Sequence, residues 1–401
     1  MDLLLKQLRE QAKKYEGLRI DSYIRQGSAR EGLKVLNANE FDTMLEFHIE
    51  GLEGRIDHAP ITNAAGKSIP GFCKLRIYGV SFERLEKICP RMFKEGVFVQ
   101  HGDEVYLSSK VLHEKIFESM VDTARHVITT AMQDTSRFLR KASSFRLYRK
   151  MNPPAINVTI QLCYNDILKK EIDVDLVPAF QLRKDERTTY EGHQINCPIH
   201  AVCKWVGKVE RDERLVWDVK TTGYEKHILD MARQSRRKLY IVTALRIVKT
   251  YFVKKLKHAK DHNITPPHIV TVLKSYHLKQ IAFYLLYYLC HKYPSRPLPC
   301  AKTAFEYFLN LLLICLRSKS LPHFFYSGTN VGTMLPGFPQ NYGFQLRYNM
   351  FQKINDESLA RAAQSFIDEM MPELGVSFGV VDPHQAQVYD MFESLAVSHA
   401  M

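Results

Sequence analysis

The chain has 401 residues, with 56 Lys and Arg against 43 Asp and Glu, a formal charge of +13. Hydrophobic residues make up 45% and charged residues 25%, a balance that excludes wholesale disorder and gives room for two or three domains of about 150 residues. The longest apolar runs, 281–290 and 311–316, fall short of the roughly 18 residues a membrane-spanning helix needs.

Residues 1–24 read as a helix, with Leu4, Leu8, Tyr15 and Leu18 near one face. Its basic start, Met1 to Lys14, has no signal-peptide core. Gly27 and Ser28 break the helix, and strands are expected over 33–36 and 40–47. A further strand carries Cys73, Leu75 and Ile77 on one side. Ile116, Met120, Ala124, Val127 and Ala131 step by three or four, the spacing of a helix face. Residues 155–163 and 171–177 alternate apolar and polar positions around Asn165-Asp166, a hairpin signature. Residues 225–260, 268–291, 301–317 and 356–371 favour helix, punctuated by Pro and Gly at 264–267, 293–299 and 336–339. The expected class is α+β: a mixed-sheet lobe with an N-terminal helix over 1–210, then a helical lobe over 211–401.

The most informative stretch is Gly27-Ser28, eleven residues, then Glu40-Phe41-Asp42. On a strand, positions i and i+2 share a face, so Glu40 and Asp42 project together. Downstream, Ile172, Val174 and Leu176 point inward while Asp173 and Asp175 point outward. Three carboxylates from two neighbouring strands suit a pair of hard divalent ions about 3.5–4 Å apart, the geometry of in-line nucleotidyl transfer. A Gly-Ser turn lets the backbone approach a triphosphate and adds the Ser28 hydroxyl. Solvent-facing strand acids are the plain alternative for Glu40 and Asp42 taken alone; the ordered set favours the metal.

These motifs, G-S with N-E-F-D at 27–42 and V-D-L-V-P-A-F at 174–180, resemble the nucleotidyltransferase core of cyclic GMP-AMP synthase and its relatives, the cGAS-like receptors of the male-abnormal-21 group. The resemblance extends to E-G-L-K-V at 31–35, Trp217 and S-Y-H-L-K at 275–279, and covers most of residues 1–330. It implies a bilobal nucleotidyltransferase fold. The implied activity joins two nucleoside triphosphates, such as ATP and GTP, into a cyclic dinucleotide messenger of innate immunity, using two Mg²⁺ or Mn²⁺ ions. Glu40, Asp42 and Asp175 resemble the metal-binding carboxylates, with Asp175 nearest a general-base role and Asp173 an extra acid on that face. Gly27 and Ser28 resemble the triphosphate turn. Ser275 and Tyr276 match positions contacting phosphate and stacking on a base. Lys249 aligns by helical context with a phosphate-contacting lysine, against the alternative of a solvated one; for Tyr276 the alternative is a half-buried core tyrosine. Lys220 and Thr222 stand where the family shows an arginine and serines reading the base edge, so the product's bases and linkage stay open.

The DNA-sensing synthase carries a His-Cys-Cys-Cys zinc insertion; the matching stretch, Leu229 to Tyr240, has neither Cys nor His. The resemblance therefore points to double-stranded RNA rather than double-stranded DNA as activator, with assembly on that ligand and a cytoplasmic setting that eight scattered cysteines also suit. His193, Cys197, His200 and Cys203 are read as a partly buried strand or loop at a hinge rather than a zinc site. Basic runs at 137–150, including Arg137, Arg140 and Lys141, and at 233–260, including Arg233, Arg236, Arg237 and Lys238, are read as a phosphate-tracking surface. Reversing Arg236, Arg237 and Lys238 is expected to abolish RNA binding and leave the fold intact. The competing readings are a catalytically silent interaction protein of the same group and a linear synthetase resembling oligoadenylate synthetase.

Overall fold

The structure, a computed structural model, describes residues 1–27, 31, 33, 40–62, 66, 68–139, 143–152, 155–164, 167–182, 188–203, 213–326, 329–339, 347–376 and 383–400; of residues 40, 132–139, 143–146, 149–152, 164, 329–330, 383–384 and 400 it describes the backbone alone. The protein is mixed α+β and divides into two compact units. The first comprises Met1–Glu186 and Asn196–Tyr224; the second comprises Arg187–Ile195 and Glu225–Met401.

The first unit is built on one mixed sheet. Its path runs from β1 (Leu18–Gln26) to β2 (Glu40–Ile49). Strands β3 (Ile56–Thr62), β4 (Ser68–Ile77), β5 (Phe98–His101) and β6 (Glu104–Leu107) form one side of the sheet. A hairpin of β7 (Ser143–Asn152) and β8 (Ala155–Tyr164) leads into the longest strand, β9 (Ile167–Gln181). A separate small hairpin, β10 (Thr188–Tyr190) and β11 (His193–Ile195), belongs to the second unit. β12 (His200–Cys203) and β13 (Trp217–Lys220) return to the main sheet and join β9 to β4. β9 is the spine: it pairs parallel with β2, and antiparallel with β8 along its first part and with β12 at its end. The turn expected at Asn165-Asp166 lies outside the described residues.

One face of this sheet is the core. Thr43, Leu45 and Phe47 of β2 and Val174 and Leu176 of β9 are buried on it. The Phe47 ring lies 5.2 Å from Phe117, 5.8 Å from Phe180 and 6.4 Å from Trp217, centroid to centroid. Trp217 is fully buried, and its Nε1–H donates to the Leu107 carbonyl at 3.0 Å, so its one polar atom is satisfied.

The N-terminal helix is shorter than its spacing suggests. α1 spans Asp2–Ala12, with Leu4, Leu8 and Ala12 buried at four-residue steps. Gly17 takes φ +81, a conformation open to glycine, and Leu18 enters β1. Leu18 and Ile20 are buried as alternate strand residues, and β2 supplies the pairing that a helix would have supplied within itself. The helix centred on Ile116 to Ala131 is present, as a π-turn at Leu112–Phe117 followed by α2 (Glu118–Leu139). Its inward face is Met120, Val121, Ala124 and Ile128, with Val127 exposed, because a core-facing stripe is wider than one row.

The second unit is helical. The expected helix over 225–260 is two, α3 (Thr222–Arg233) and α4 (Arg236–His262), interrupted at Ser235, whose backbone is extended. α4 ends at Asn263 in the left-handed region. α5 (Ser275–Leu286) is buried almost all round and packs with α6 (Ala301–Arg317) and the Phe324-Phe325 turn. α7 (Asp356–Ser365) and α8 (Pro383–Ala400) cover α6, with Tyr307 and Tyr389 rings 5.6 Å apart. The β10–β11 hairpin is tied to this unit by Thr189 N–H donating to the Pro336 carbonyl at 2.8 Å.

Trp217→Ala is expected to destabilise the protein by about 3–5 kcal/mol, through a large cavity and a lost hydrogen bond. Urea unfolding followed by circular dichroism measures it.

Candidate functional site

The parallel register of β2 against β9 sets Glu40 opposite Asp173, Phe41 opposite Val174 and Asp42 opposite Asp175. Strand alternation then gives Asp42, Asp173 and Asp175 one face, opposite the core face that buries Val174 and Leu176. The Glu40 side chain lies outside the described residues. Asp42 is exposed, and Asp173 and Asp175 are half-buried.

β8 braces this edge. The register places Asn157 opposite Asp175 and Thr159 opposite Asp173. The Asn157 Nδ2–H donates to Asp175 Oδ1 at 2.7 Å, and the Thr159 hydroxyl donates to Asp173 Oδ1 at 2.5 Å. Thr159 Oγ1 also lies 3.2 Å from Asn157 Oδ1. Asn157 and Thr159 are themselves buried, so these bonds fix which oxygens of the two aspartates face outward. Sequence reasoning missed both. The signal was present: they are the polar positions alternating with Ile156, Val158 and Ile160.

Gly27 sits at the end of β1, just past Gln26, which pairs with Asp42. Its φ is +68, and a Cβ there would collide with Asp42 Oδ2 and lie 3.1 Å from Asp42 Cγ. Only glycine lets the Asp42 carboxylate lie against the turn. Ser28 lies outside the described residues.

This donor set is made of hard oxygens, which suits Mg²⁺ or Mn²⁺ and not a thiophilic metal. The glycine cradle leaves the Asp42 carboxylate unobstructed by a side chain, and Asn157 holds one oxygen of Asp175; both fit a metal-binding edge. Among the described residues no three His, Cys, Asp or Glu side chains converge as a complete metal site. Further along the same face Met44, Ala179 and Val202 form an apolar cluster. Beyond it Glu46 lies 3.3 Å from His200 Nε2 and accepts from the Ser22 hydroxyl at 3.0 Å.

The remaining candidates are scattered over the two units. Lys220 pairs with Asp218 at 2.7 Å, and Thr222 opens α3; both belong to the first unit. Lys249 is buried in α4, which excludes the solvated reading. Ser275 is the first residue of α5. Tyr276 is 50% exposed, its ring tilted 4.2 Å from the buried His277. Of the Cys/His cluster, His200 and Cys203 are buried three residues apart on β12 and therefore face opposite sides. Burial pushes the Cys203 thiol well up, keeping it protonated. His193 lies on β11, with its Nδ1–H donating to the Glu191 carbonyl at 3.0 Å.

The basic surface needs correction. Arg237 Nη2 donates to the carbonyls of Leu289, at 2.8 Å, and Arg296. Lys238 pairs with Glu191 and lies 5.8 Å from the Tyr190 ring centroid, and desolvation lowers its pKa. These two side chains hold the start of α4 to its neighbours. Reversing them would remove structural bonds, contrary to the expectation of an intact fold. Arg236 donates to the Tyr240 hydroxyl at 2.7 Å and Arg233 pairs with Asp230 at 2.8 Å. The exposed cations of α4 are Arg236, Arg246, Lys254, Lys257 and Lys260. Arg140, Lys141 and the Arg137 side chain lie outside the described residues.

Comparison of the chain with protein-family models and with curated proteins returns no match to either. What the geometry defines is therefore a class: a mixed α+β protein whose sheet carries aspartates from two adjacent parallel strands beside a left-handed glycine.

His277, next to Tyr276, supplies a pH test. Burial, aided by the Lys274 charge, pushes its pKa down to about 4, and its Nδ1 accepts from the Lys274 N–H at 3.1 Å. The folded state binds this proton less readily than the unfolded chain, whose His has a pKa near ~6.5. Its contribution to stability is complete above that value and lost as pH falls toward about 4. Chemical denaturation between pH 7 and 4 should show this loss, and His277→Asn should flatten it relative to the unmodified protein.

Proposed function

We propose that this protein is a metal-dependent nucleotidyltransferase that joins two nucleoside triphosphates, ATP and GTP among the candidates, into a cyclic dinucleotide, and that double-stranded RNA activates it in the cytoplasm. The observation that carries the reading is the β2–β9 register, which pairs Asp42 with Asp175 and Glu40 with Asp173. The resemblance of the 27–42 and 174–180 motifs to the cGAS-like receptors supplies the substrate class, the product and the activator.

Glu40, Asp42 and Asp175 would hold two Mg²⁺ or Mn²⁺ ions, which supply charge stabilisation to the transferring phosphoryl group. The chain's own residues do the rest. Gly27, at φ +68, lets the backbone come close to a triphosphate. Asp175, with Oδ1 fixed by Asn157, presents its other oxygen to take the proton of the acceptor ribose hydroxyl. Tyr276 offers an exposed ring on which any nucleobase can stack. Ser275 and buried Lys249 contribute a hydroxyl and a cation to phosphate binding. Lys220 and Thr222 contact the base edge. The exposed α4 cations track the RNA backbone, which is charged and sequence-independent.

The test incubates purified protein with labelled ATP, GTP, CTP and UTP and Mg²⁺ or Mn²⁺, alone or with duplex RNA or duplex DNA, followed by phosphatase. A resistant product seen with duplex RNA is expected. Asp175→Asn should lower its rate about 100-fold or more while duplex binding persists. A phosphatase-sensitive product would replace the cyclic synthase with a linear one. Undiminished activity in a Glu40→Ala, Asp42→Ala double variant would refute the carboxylate assignment.

A further inference from the structure

The last turns of α4 carry a pair of imidazoles that the nucleotidyltransferase reading leaves unused. His258 and His262 are four residues apart, which puts them on one face of the helix with Cβ atoms about 5–6 Å apart. Their rings lie 4.2 Å apart, centroid to centroid, tilted by 42°. Both residues are exposed, so an ion from solvent reaches them without any opening of the fold. His262 Nδ1–H donates to the His258 carbonyl at 2.9 Å. That bond makes Nε2 the unprotonated nitrogen of the neutral ring and fixes the ring's direction, as proteins do for a histidine that ligates a metal.

The surrounding charges decide which ion suits the pair. α4 ends here, at Asn263, and a helix C-terminus carries partial negative charge that favours a cation. Asp261, exposed beside His262, adds a carboxylate to the same turn. Lys254, Lys257 and Lys260 oppose a cation, being exposed on the same last turns. A hard ion attracted by charge alone gains little in that company, whereas a borderline-soft ion gains from the imidazole nitrogens themselves. Among the described residues no set of three His, Cys, Asp or Glu converges as a metal site, so water completes the coordination of an ion held by these two.

We propose that His258 and His262 form a two-imidazole chelate on the surface of α4 for an exchangeable, borderline-soft divalent cation of the Cu²⁺ and Zn²⁺ class. Each Nε2 supplies one ligand at about 2.0–2.1 Å, and the helix holds the two rings at a spacing that one ion spans. Cu²⁺ binds tightest, Zn²⁺ less tightly and Mn²⁺ weakest. The site uses none of the β2 or β9 carboxylates and stands whether or not that edge transfers nucleotides.

Cu²⁺ is the probe, because electron paramagnetic resonance counts its nitrogen ligands. One equivalent added to the metal-free full chain at neutral pH should give a spectrum of two-nitrogen coordination, which excess Zn²⁺ displaces and the same excess of Mn²⁺ does not. His258→Ala and His262→Ala should each weaken this site about tenfold or more, because a lone imidazole loses the intramolecular second contact. Moving the second imidazole round the helix, with His262→Ala and Lys260→His together, should not restore it, since positions two apart face opposite sides. Circular dichroism verifies the fold of each variant. Undiminished Cu²⁺ affinity in the His258→Ala, His262→Ala double variant would overturn the proposal. So would one-nitrogen coordination in the unmodified protein, or full recovery with Lys260→His.

Discussion

The parallel pairing of β2 with β9 is the constraint on which the rest of the account depends. A strand's side chains alternate, so a slip of one residue would exchange its two faces. In the register present, Phe47, Val174 and Leu176 fill the core while Asp42 and Asp175 stay on the other side. The burial of large apolar groups thus fixes the placement of the carboxylates. Trp217 and Phe117 contribute indirectly, because they pack on Phe47 and make any other register costly.

The acidic edge is then refined by short-range bonds. Asn157 and Thr159 are buried polar residues on β8, and each uses its hydrogen to orient one aspartate. Gly27 removes a side chain where the Asp42 carboxylate must lie. Orientation set before a ligand arrives is what lets carboxylates act on charge without reorganising.

Much of this was legible in the sequence, for identifiable reasons. Alternation over 155–163 and 171–177 marked β8 and β9 because a half-buried strand imposes a period of two. Glu40-Phe41-Asp42 and Asp173-Val174-Asp175 stood out for the same reason. The start of the chain misled, since Leu4, Leu8, Tyr15 and Leu18 fit a helical spacing until Gly17 and the pairing with β2 intervene. Tertiary pairing overrode local pattern there. The bracing by Asn157 was not foreseen because a polar residue on a strand reads as solvent-facing until its neighbour is known. Arg237 and Lys238 misled in the opposite sense. A charge run looks like a surface, yet guanidinium groups also satisfy backbone carbonyls, as Arg237 does at Leu289 and Arg296. Lys249, on the same helix, is buried where a run of charges suggested solvent.

The central claim is that the paired strands present oriented carboxylates to hard divalent cations. Electron paramagnetic resonance of Mn²⁺ titrated into the purified protein reads this directly, without any assumption about substrate or activator. The account predicts saturable Mn²⁺ binding that Mg²⁺ displaces and that Asp42→Asn weakens at least tenfold, with the fold intact by circular dichroism. Mn²⁺ binding of equal strength in that variant, or none in the unmodified protein with or without added nucleoside triphosphate, would contradict it.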